Sequence, residues 1–472
     1  MIDGLHPYPE MSASGLPWLG DVPSHWDVRR NGRLFGSRHE TGFPELPVLE
    51  VSLRSGVRIR DFDNGARKQE MADRSKYQRA LRGDIAYNMM RMWQGAVGIA
   101  PVDGLVSPAY VVARPFAETD SAYYAYVFRT AAYMREVDTF SRGIVPDRNR
   151  LYWESFKQMP SVCPPLDEQR LMVRFLDWHG GQTAKLIRAK KKVIALLNEQ
   201  KQAIIHRAVT RGLDQNVKLK PSGIPWLGDV PEGWEVKRLK NVCRINPSKM
   251  AIKSRSPDEL ATFLPMERVS SDGKIDGSIR SPISDRANGF TYFERNDVIL
   301  AKITPCFENG KGAVLDALPT EVGFGSTEFI VLRASSAIDP RFLYLLTFEV
   351  QFRRLGVESM TGSAGQQRIS QEFVANYFIV LPGRDEQVRI IEALQTATHE
   401  FDAVIDAAHR EITLIQEFCT RLIADVVTGK LDIRALAASL PEITELESID
   451  DLAEGDEFDE SIGDAENEEV AA

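Results

Sequence analysis

Residues 14–30 read SGLPWLGDVPSHWDVRR, and residues 222–238 read SGIPWLGDVPEGWEVKR. Aligned without gaps, 12 of the 17 positions are identical, and three more are Leu/Ile, Asp/Glu and Arg/Lys exchanges. The chain therefore repeats itself at an offset of 208 residues, and both halves are expected to share one fold in tandem. A protein with two similar halves suits a partner with two similar halves, and a DNA duplex with two half-sites is the natural candidate.

The echo continues in order. Leu81-Arg-Gly-Asp-Ile-Ala-Tyr87 answers Glu294-Arg-Asn-Asp-Val-Ile-Leu300, and Ser107-Pro-Ala-Tyr-Val-Val-Ala-Arg114 answers Ser326-Thr-Glu-Phe-Ile-Val-Leu-Arg333. Asp167-Glu-Gln169 answers Asp385-Glu-Gln387, and Val209-Thr210 with Leu213-Asp214 answers Val427-Thr428 with Leu431-Asp432. The offset drifts from 208 to 219, then holds at 218 from Asp167/Asp385 to Asp214/Asp432. Each half thus has one region that tolerates length changes and one that tolerates none. Residues 31–80 and 239–293 show no mutual similarity.

The rigid region explains itself in the second copy. Ile391, Leu394, Thr398, Phe401, Ile405, Ala408, Ile412, Ile415, Cys419, Leu422 and Val426 alternate spacings of three and four, a heptad seam. The first copy carries Val173, Leu176, Gly180, Thr183, Ile187, Lys190, Ile194, Leu197, Lys201, Ile204 and Ala208 at the same places. It is weaker: two lysines sit on the seam, and Gly180-Gly181 costs about 1 kcal/mol per glycine in a helix interior, so a kink or break is expected there. Such a seam needs another helix over it. Equal length and one shared chain favour an antiparallel pair, each rod on the order of 60 Å long.

The variable regions are β-rich. Ile85-Ala-Tyr87, Ala109–Ala113, Val298–Ala301 and Phe329–Leu332 alternate with turn sequences such as Asp63-Asn-Gly65, Ser271-Asp-Gly273 and Glu308-Asn-Gly310. They read as two α+β domains. Before each long helix lies a Gly/Arg loop, Ser141–Arg150 and Thr361–Arg368. Glycine lets a backbone approach phosphate, and Arg and Gln offer forked donors to phosphates or base edges. Arg142, Arg148 and Arg150 in the first loop, and Gln366, Gln367 and Arg368 in the second, are the leading DNA-binding candidates. Tyr77, Arg79, Arg91, Trp93, Lys302, Asn309 and Lys311 flank the strand landmarks and form a second tier. Trp18, Trp26, Trp226 and Trp234 are expected to be packing residues.

The net charge of −9 looks wrong for a DNA binder, but residues 441–472 hold 14 Asp/Glu and no Lys/Arg, leaving residues 1–440 at +5. The body is mildly basic and the tail acidic, of the composition that stays disordered. The four cysteines are scattered without metal-ligand pairing, as suits a reducing cytoplasm. No signal peptide and no apolar run near 18 residues stands out. Catalytic motifs are also missing. Asn246-Pro-Ser-Lys249 is the nearest string to an adenine-methylase clamp and lacks its second proline and aromatic. Thr428-Gly-Lys430 lacks the upstream glycine of a phosphate loop. Glu267-Arg-Val269 lacks the lysine of a metal-dependent nuclease core.

The duplicated SG(L/I)PWLGDVPxxWxV starts, both strand landmarks, the PPLDEQ and RDEQ strings before a long helix, and VTxxLD at its end resemble the specificity subunit of type I restriction-modification systems over residues 5–432. The resemblance implies an α+β chain of two tandem target-recognition domains joined by two long helices that form an antiparallel coiled coil with an internal pseudo-twofold repeat. The first target-recognition domain then spans 1–166, the first long helix and linker 167–214, the second domain 215–384, the second helix 385–432 and an acidic, disordered tail 433–472. Each domain would read one half of a bipartite, asymmetric site in double-stranded DNA. The helices would set the spacer and dock two adenine methyltransferase (M) subunits, with motor-nuclease (R) subunits joining them. The chain itself would be non-catalytic, cytoplasmic and free of bound cofactor or metal. S-adenosylmethionine, ATP and Mg²⁺ would belong to the partners. A stand-alone DNA-binding scaffold or regulator is the alternative, and a fused methylase or nuclease a third that the missing motifs disfavour.

Overall fold

The structure is a computed structural model that describes residues 5–53, 55–60, 74–143, 149–363 and 365–440. It falls into two compact units. One takes the described residues of Met1–Lys192 and Ala408–Ala472, the other Val193–Ala407. The boundary cuts both long helices, so each unit owns one domain and part of each helix.

In the first unit the main sheet has the order Phe35–Arg38, Tyr110–Pro115, Ile85–Asn88, Val97–Ile99, all antiparallel. In the second the order Cys243–Ile245, Phe329–Ala334, Val298–Ala301, Gly312–Val314 repeats it strand for strand. The central strands carry the two sequence landmarks, and Val298–Ala301 is buried at every position, as a strand covered on both faces requires.

The stretches without sequence similarity also match. In the second unit Arg280–Pro282 pairs with Leu260–Leu264, which runs parallel to Val322–Gly325, which pairs antiparallel with Thr291–Glu294. In the first unit Gly56–Ile59 pairs with Leu49–Ser52. Val48 then meets Leu105 in a parallel bridge, and Gly104–Val106 pairs antiparallel with Gln78–Ala80. The strand order is the same, although in the first unit it survives as two ribbons joined by a single bridge.

The helices begin at Leu166 and Arg384 and end at Arg211 and Val427. They run antiparallel. Within the first unit Thr183 meets Cys419 and Lys190 meets Glu411; within the second Lys201 meets Asp402 at 2.6 Å. Partner numbers fall along the second helix as they rise along the first. Ile187, Ile194, Ala208, Ile391, Leu394, Ile405, Ile412, Leu422 and Val426 are buried along the seam. The two seam lysines that weakened the first copy lie at its rim, where carboxylates of the other helix take their charge. The expected break is absent, for the helix runs unbroken through Gly180-Gly181. Phe175 and Leu176 before the glycines, and Ala184 and Ile187 after them, are buried, so packing on both sides offsets about 2 kcal/mol of glycine cost.

The Asp-Glu-Gln strings tie each helix to its domain. Gln387 is fully buried. Its side-chain oxygen accepts the Asp339 amide at 2.8 Å, and its nitrogen donates to the Pro382 and Ala337 carbonyls at 2.9 and 3.0 Å. Gln169, equally buried, accepts from the Asp120 amide at 2.9 Å and donates to the Pro164 and Glu118 carbonyls at 2.8 and 3.2 Å. Asp120 and Asp339 in turn cap the helices Ser121–Phe128 and Pro340–Phe348 with their carboxylates. One amide thus fixes the end of a strand, the start of the long helix and the start of a domain helix.

The other helix ends explain the duplicated tryptophans. Gly212 follows the first helix with φ +77° and lies against Trp234. Gly429 follows the second, also at φ +77°, against Pro23 and Trp26. Each helix therefore ends on the opening motif of the domain it does not follow. Trp26 and Trp234 are buried; Trp18 stands edge-on to Tyr133 and Trp226 stacks on Tyr377. Beyond Gly429 the chain does not leave the fold at 433 as expected. Asp432 donates its amide to the His6 carbonyl at 2.7 Å, and Arg434–Ser439 is helical with Ile433 and Ala437 buried. The acidic residues 441–472 lie outside the described residues.

Candidate nucleic-acid interface

The two Gly/Arg loops leave the fold at the same place and are closed in the same way. Arg142 and Arg150 exchange both backbone hydrogen bonds at 3.0 Å. Thr361 and Arg368 exchange theirs at 3.1 and 2.9 Å. The residue after each bridge hangs on the central strand's exit, Leu151 N–H on the Met89 carbonyl at 2.8 Å and Ile369 N–H on the Lys302 carbonyl at 2.9 Å. These are small two-residue clasps at the base of each loop. Arg142 and Arg150 are exposed, while Arg148 lies outside the described residues.

In the second loop Gln366 is exposed and Gln367 half-buried. The backbone of Gln367 is stitched to Thr304 in both directions, at 2.9 and 3.1 Å. Arg368 is spent locally: its Nε and Nη2 grip Glu328 at 3.0 Å each, and Nη1 donates to the Gln366 carbonyl at 2.9 Å. The bond to the Glu328 carboxylate raises its already high pKa. Its place in this geometry is to hold the loop tip, with Gln366 and Gln367 riding on it.

The second-tier residues divide. Tyr77 is 5% exposed and sits among Val48 and Leu105, so little of its face remains for a ligand. Arg79 lies over the Phe43 ring at 4.5 Å, with Glu40 and Asp103 at 3.5 and 3.4 Å. It neutralises carboxylates of its own domain. Trp93 donates to the Met90 carbonyl at 3.0 Å and packs on the core, and Arg91 beside it is half-buried. Lys311 is half-buried with its ammonium 3.4 Å from the Met266 carbonyl. Asn309 is exposed at the turn tip.

Lys302 opens onto a feature the sequence reasoning missed. An open hollow of about 290 Å³ is lined by Asn246, Pro247, Lys249, Thr291, Tyr292, Lys302, Thr327 and Phe329. The string Asn246-Pro-Ser-Lys249, weighed above only as a failed methylase clamp, forms one wall. Asn246 takes φ +48° and is held there by bonds to the Val331 amide and to Gln371. Lys249 donates to the Ala287 and Phe290 carbonyls at 2.7 and 2.9 Å, and Lys302 to the Thr327 carbonyl at 2.8 Å. These are neutral partners, so two cationic charges remain at the rim, with Glu328 3.9 Å from Lys302. The signal in the sequence was the Asn-Pro turn between two strands. Its neighbour on the same backbone, residues 303–304, carries the Gln366–Gln367 loop. The corresponding exit in the first unit reads Met89-Met-Arg91. The two units thus hold different side chains on one frame.

The landmark aspartates belong to that frame. Asp297 accepts both prongs of Arg333 at 2.8 Å and the Glu294 amide at 2.7 Å. Asp84 accepts Arg38 at 2.6 Å and the Leu81 amide at 2.9 Å. They brace turns and face no solvent.

Comparison with known proteins bears on the same segment. Residues 231–413 match the family model described as the type I restriction modification DNA specificity domain. That match covers less than half of the chain. The specificity subunit of the type I restriction enzyme EcoAI from Escherichia coli is 40% identical over 167 residues, 34% of this chain and 28% of that protein. The EcoEI specificity subunit, also from Escherichia coli, is 37% identical over 166 residues, 34% of this chain and 27% of its own length. The matched part therefore spans little more than a quarter of either relative. A solved chain from work on complex assembly and conformational transition of the type I restriction-modification system superposes with a TM-score of 0.57 at 13% identity. It covers 86% of this chain and 98% of that one, a likeness of fold. No helix among the described residues is long and apolar enough to cross a membrane.

Proposed function

We propose that this chain is the DNA-reading subunit of a type I restriction-modification complex. Each unit reads one half of a bipartite, asymmetric site in double-stranded DNA. The antiparallel helices set the spacer and dock two adenine methyltransferase (M) subunits, with motor-nuclease (R) subunits joining in the cytoplasm. S-adenosylmethionine, ATP and Mg²⁺ act on those partners, and this chain performs no chemistry. The observation that carries the reading is the clasped loop, placed identically in both units of a family frame yet furnished with different side chains. Same frame and different furniture is what two unequal half-sites require.

The contacts divide by chemistry. Arg142, Arg148 and Arg150 in the first unit, and Lys249, Lys302 and Lys311 in the second, suit phosphates. Asn309, Gln366 and Gln367 offer paired donor and acceptor groups, as adenine edges need. Arg368 positions Gln366 and Gln367. The test is reconstitution with an adenine methyltransferase subunit. The complex should methylate a bipartite site, and the homogeneous chain alone should turn over neither S-adenosylmethionine nor ATP. Turnover by the chain alone would overturn the non-catalytic assignment.

A further inference from the structure

The first long helix carries Lys185, Arg188, Lys190, Lys191 and Lys192 within eight residues and no carboxylate among them. Lys190 is taken by Glu411 of the second helix. Lys185, Lys191 and Lys192 are exposed, and among the described residues none of them forms an ion pair. Positions 185, 188 and 192 share one helix face. Lys190 is a seam position, but the seam explains none of the other charges, since Thr183, Ile187 and Lys190 are its members here.

The described chain stops beside this stripe. Arg174 of the same helix donates to the carbonyl of Leu440, so the described chain ends against the first long helix itself. From Arg174 to Lys185 is about 16 Å and to Lys192 about 27 Å along the axis. An extended chain covers 27 Å in roughly eight residues. Residues 441–472 hold 14 carboxylates and no cation, eight carboxylates falling before residue 458. Reach, rooting and charge agree on one occupant.

We propose that the acidic segment after Leu440 lies along the Lys185–Lys192 face of the first long helix and shields it from other polyanions, DNA included. Attachment at Leu440 gives the segment an effective concentration on the order of 1 mM. A polyanion contact of about 10⁻⁴ M then masks the face about tenfold. Only the competition with DNA rests on the function proposed above; the contact itself does not.

The experiment is zero-length carbodiimide coupling of the full chain at low salt, read by peptide mass spectrometry. Lys185, Lys191 and Lys192 should join to carboxylates of 441–472, and Lys249 and Lys253, equally exposed, should not. In parallel, a full-length variant with Glu442, Glu445, Glu447, Asp450, Asp451 and Glu454 changed to amides should bind a random-sequence duplex about tenfold more tightly. That gain should vanish when Lys185, Lys191 and Lys192 are also changed to Gln. Links spread evenly over all exposed lysines, or none to the tail, would overturn the proposal. So would unchanged duplex affinity in the amide variant combined with weakened affinity in the lysine variant, which would assign the face to DNA directly. Tail-to-stripe links without any gain in duplex affinity would keep the contact and overturn the shielding.

Discussion

Replacing Gln387 by Leu keeps roughly the volume of the side chain and removes three hydrogen bonds. The Asp339 amide and the Pro382 carbonyl are buried, whereas the bond to Ala337 is only partly so. A buried donor or acceptor left without a partner costs about 1–3 kcal/mol. Water can reach the Ala337 carbonyl, so two groups count and the loss is about 2–6 kcal/mol, a large share of the roughly 5–15 kcal/mol that holds a domain together. Gln169→Leu is the internal control. Of its three bonds only that to Pro164 is fully buried, so its loss should be smaller by about 1 kcal/mol. Because the chain has two units, a single unfolding free energy is ill-defined, and hydrogen exchange resolved by residue is the right assay. In Gln387→Leu the Asp339 amide and the first turns of Pro340–Phe348 and Arg384–Val427 should lose protection while Ser121–Phe128 keeps its own. A loss below about 1 kcal/mol with Asp339 still protected would refute the idea that this glutamine ties helix to domain.

Gly429→Ala should destabilise the first unit by more than about 1 kcal/mol, since a Cβ there would stand 2.4 Å from Pro23 on a φ of +77°; denaturant midpoints of the two units report it, and Gly212→Ala, where the nearest approach is 3.2 Å to a ring, should cost less. His206 donates from Nδ1 to the buried Glu349 carboxylate at 2.7 Å, which raises its pKa. The bond therefore stabilises fully below the unfolded histidine pKa of about 6.5 and is lost as pH rises through the higher folded value, by under about 1 kcal/mol because the ring is half exposed. Urea midpoints of the second unit across that window should fall in the wild type and stay flat in His206→Gln. Four residues inserted after Leu197, matched by four after Ile405 to keep the antiparallel register, lengthen the pair by about 6 Å. At about 3.4 Å per base pair the preferred spacer should grow by roughly one to two base pairs, read by mapping methylated adenines. An unchanged spacer in a folded, active variant would mean that the helices do not set the distance.

Much of this architecture was legible because duplication writes the frame twice. The seam could be read residue by residue, since heptad burial depends on spacing alone, and Trp26 and Trp234 proved to be packing residues. The same strand order in residues 31–80 and 239–293 was invisible. Those strands are three to five residues long, and any β-branched or small residue fills them, so identity leaves no trace. Gly180-Gly181 misled because propensity is a local cost that burial of Phe175, Leu176, Ala184 and Ile187 outweighs. The chain after 433 misled because Ile433 and Ala437, two short apolar contacts, were hidden beside a strongly acidic segment. At the candidate interface the loops were found by their glycines and arginines. What Arg368 does there depends on Glu328, 40 residues earlier in the chain, and no pattern of spacing announces that pair. The hollow at Asn246 was missed for the same reason: its walls come from four separate strand ends.

The central claim is that each unit reads its own half-site. Exchanging residues 239–383 for the equivalent segment of a similar specificity subunit, leaving Gln169, Gln387 and both helices in place, tests it most directly. Methylated adenines are mapped genome-wide in cells carrying the parent or the chimaera with the same methyltransferase subunit. One half of the recognised sequence should change, and the other half and the spacer should stay. A folded, active chimaera in which both halves change, or neither does, would contradict independent reading by the two units.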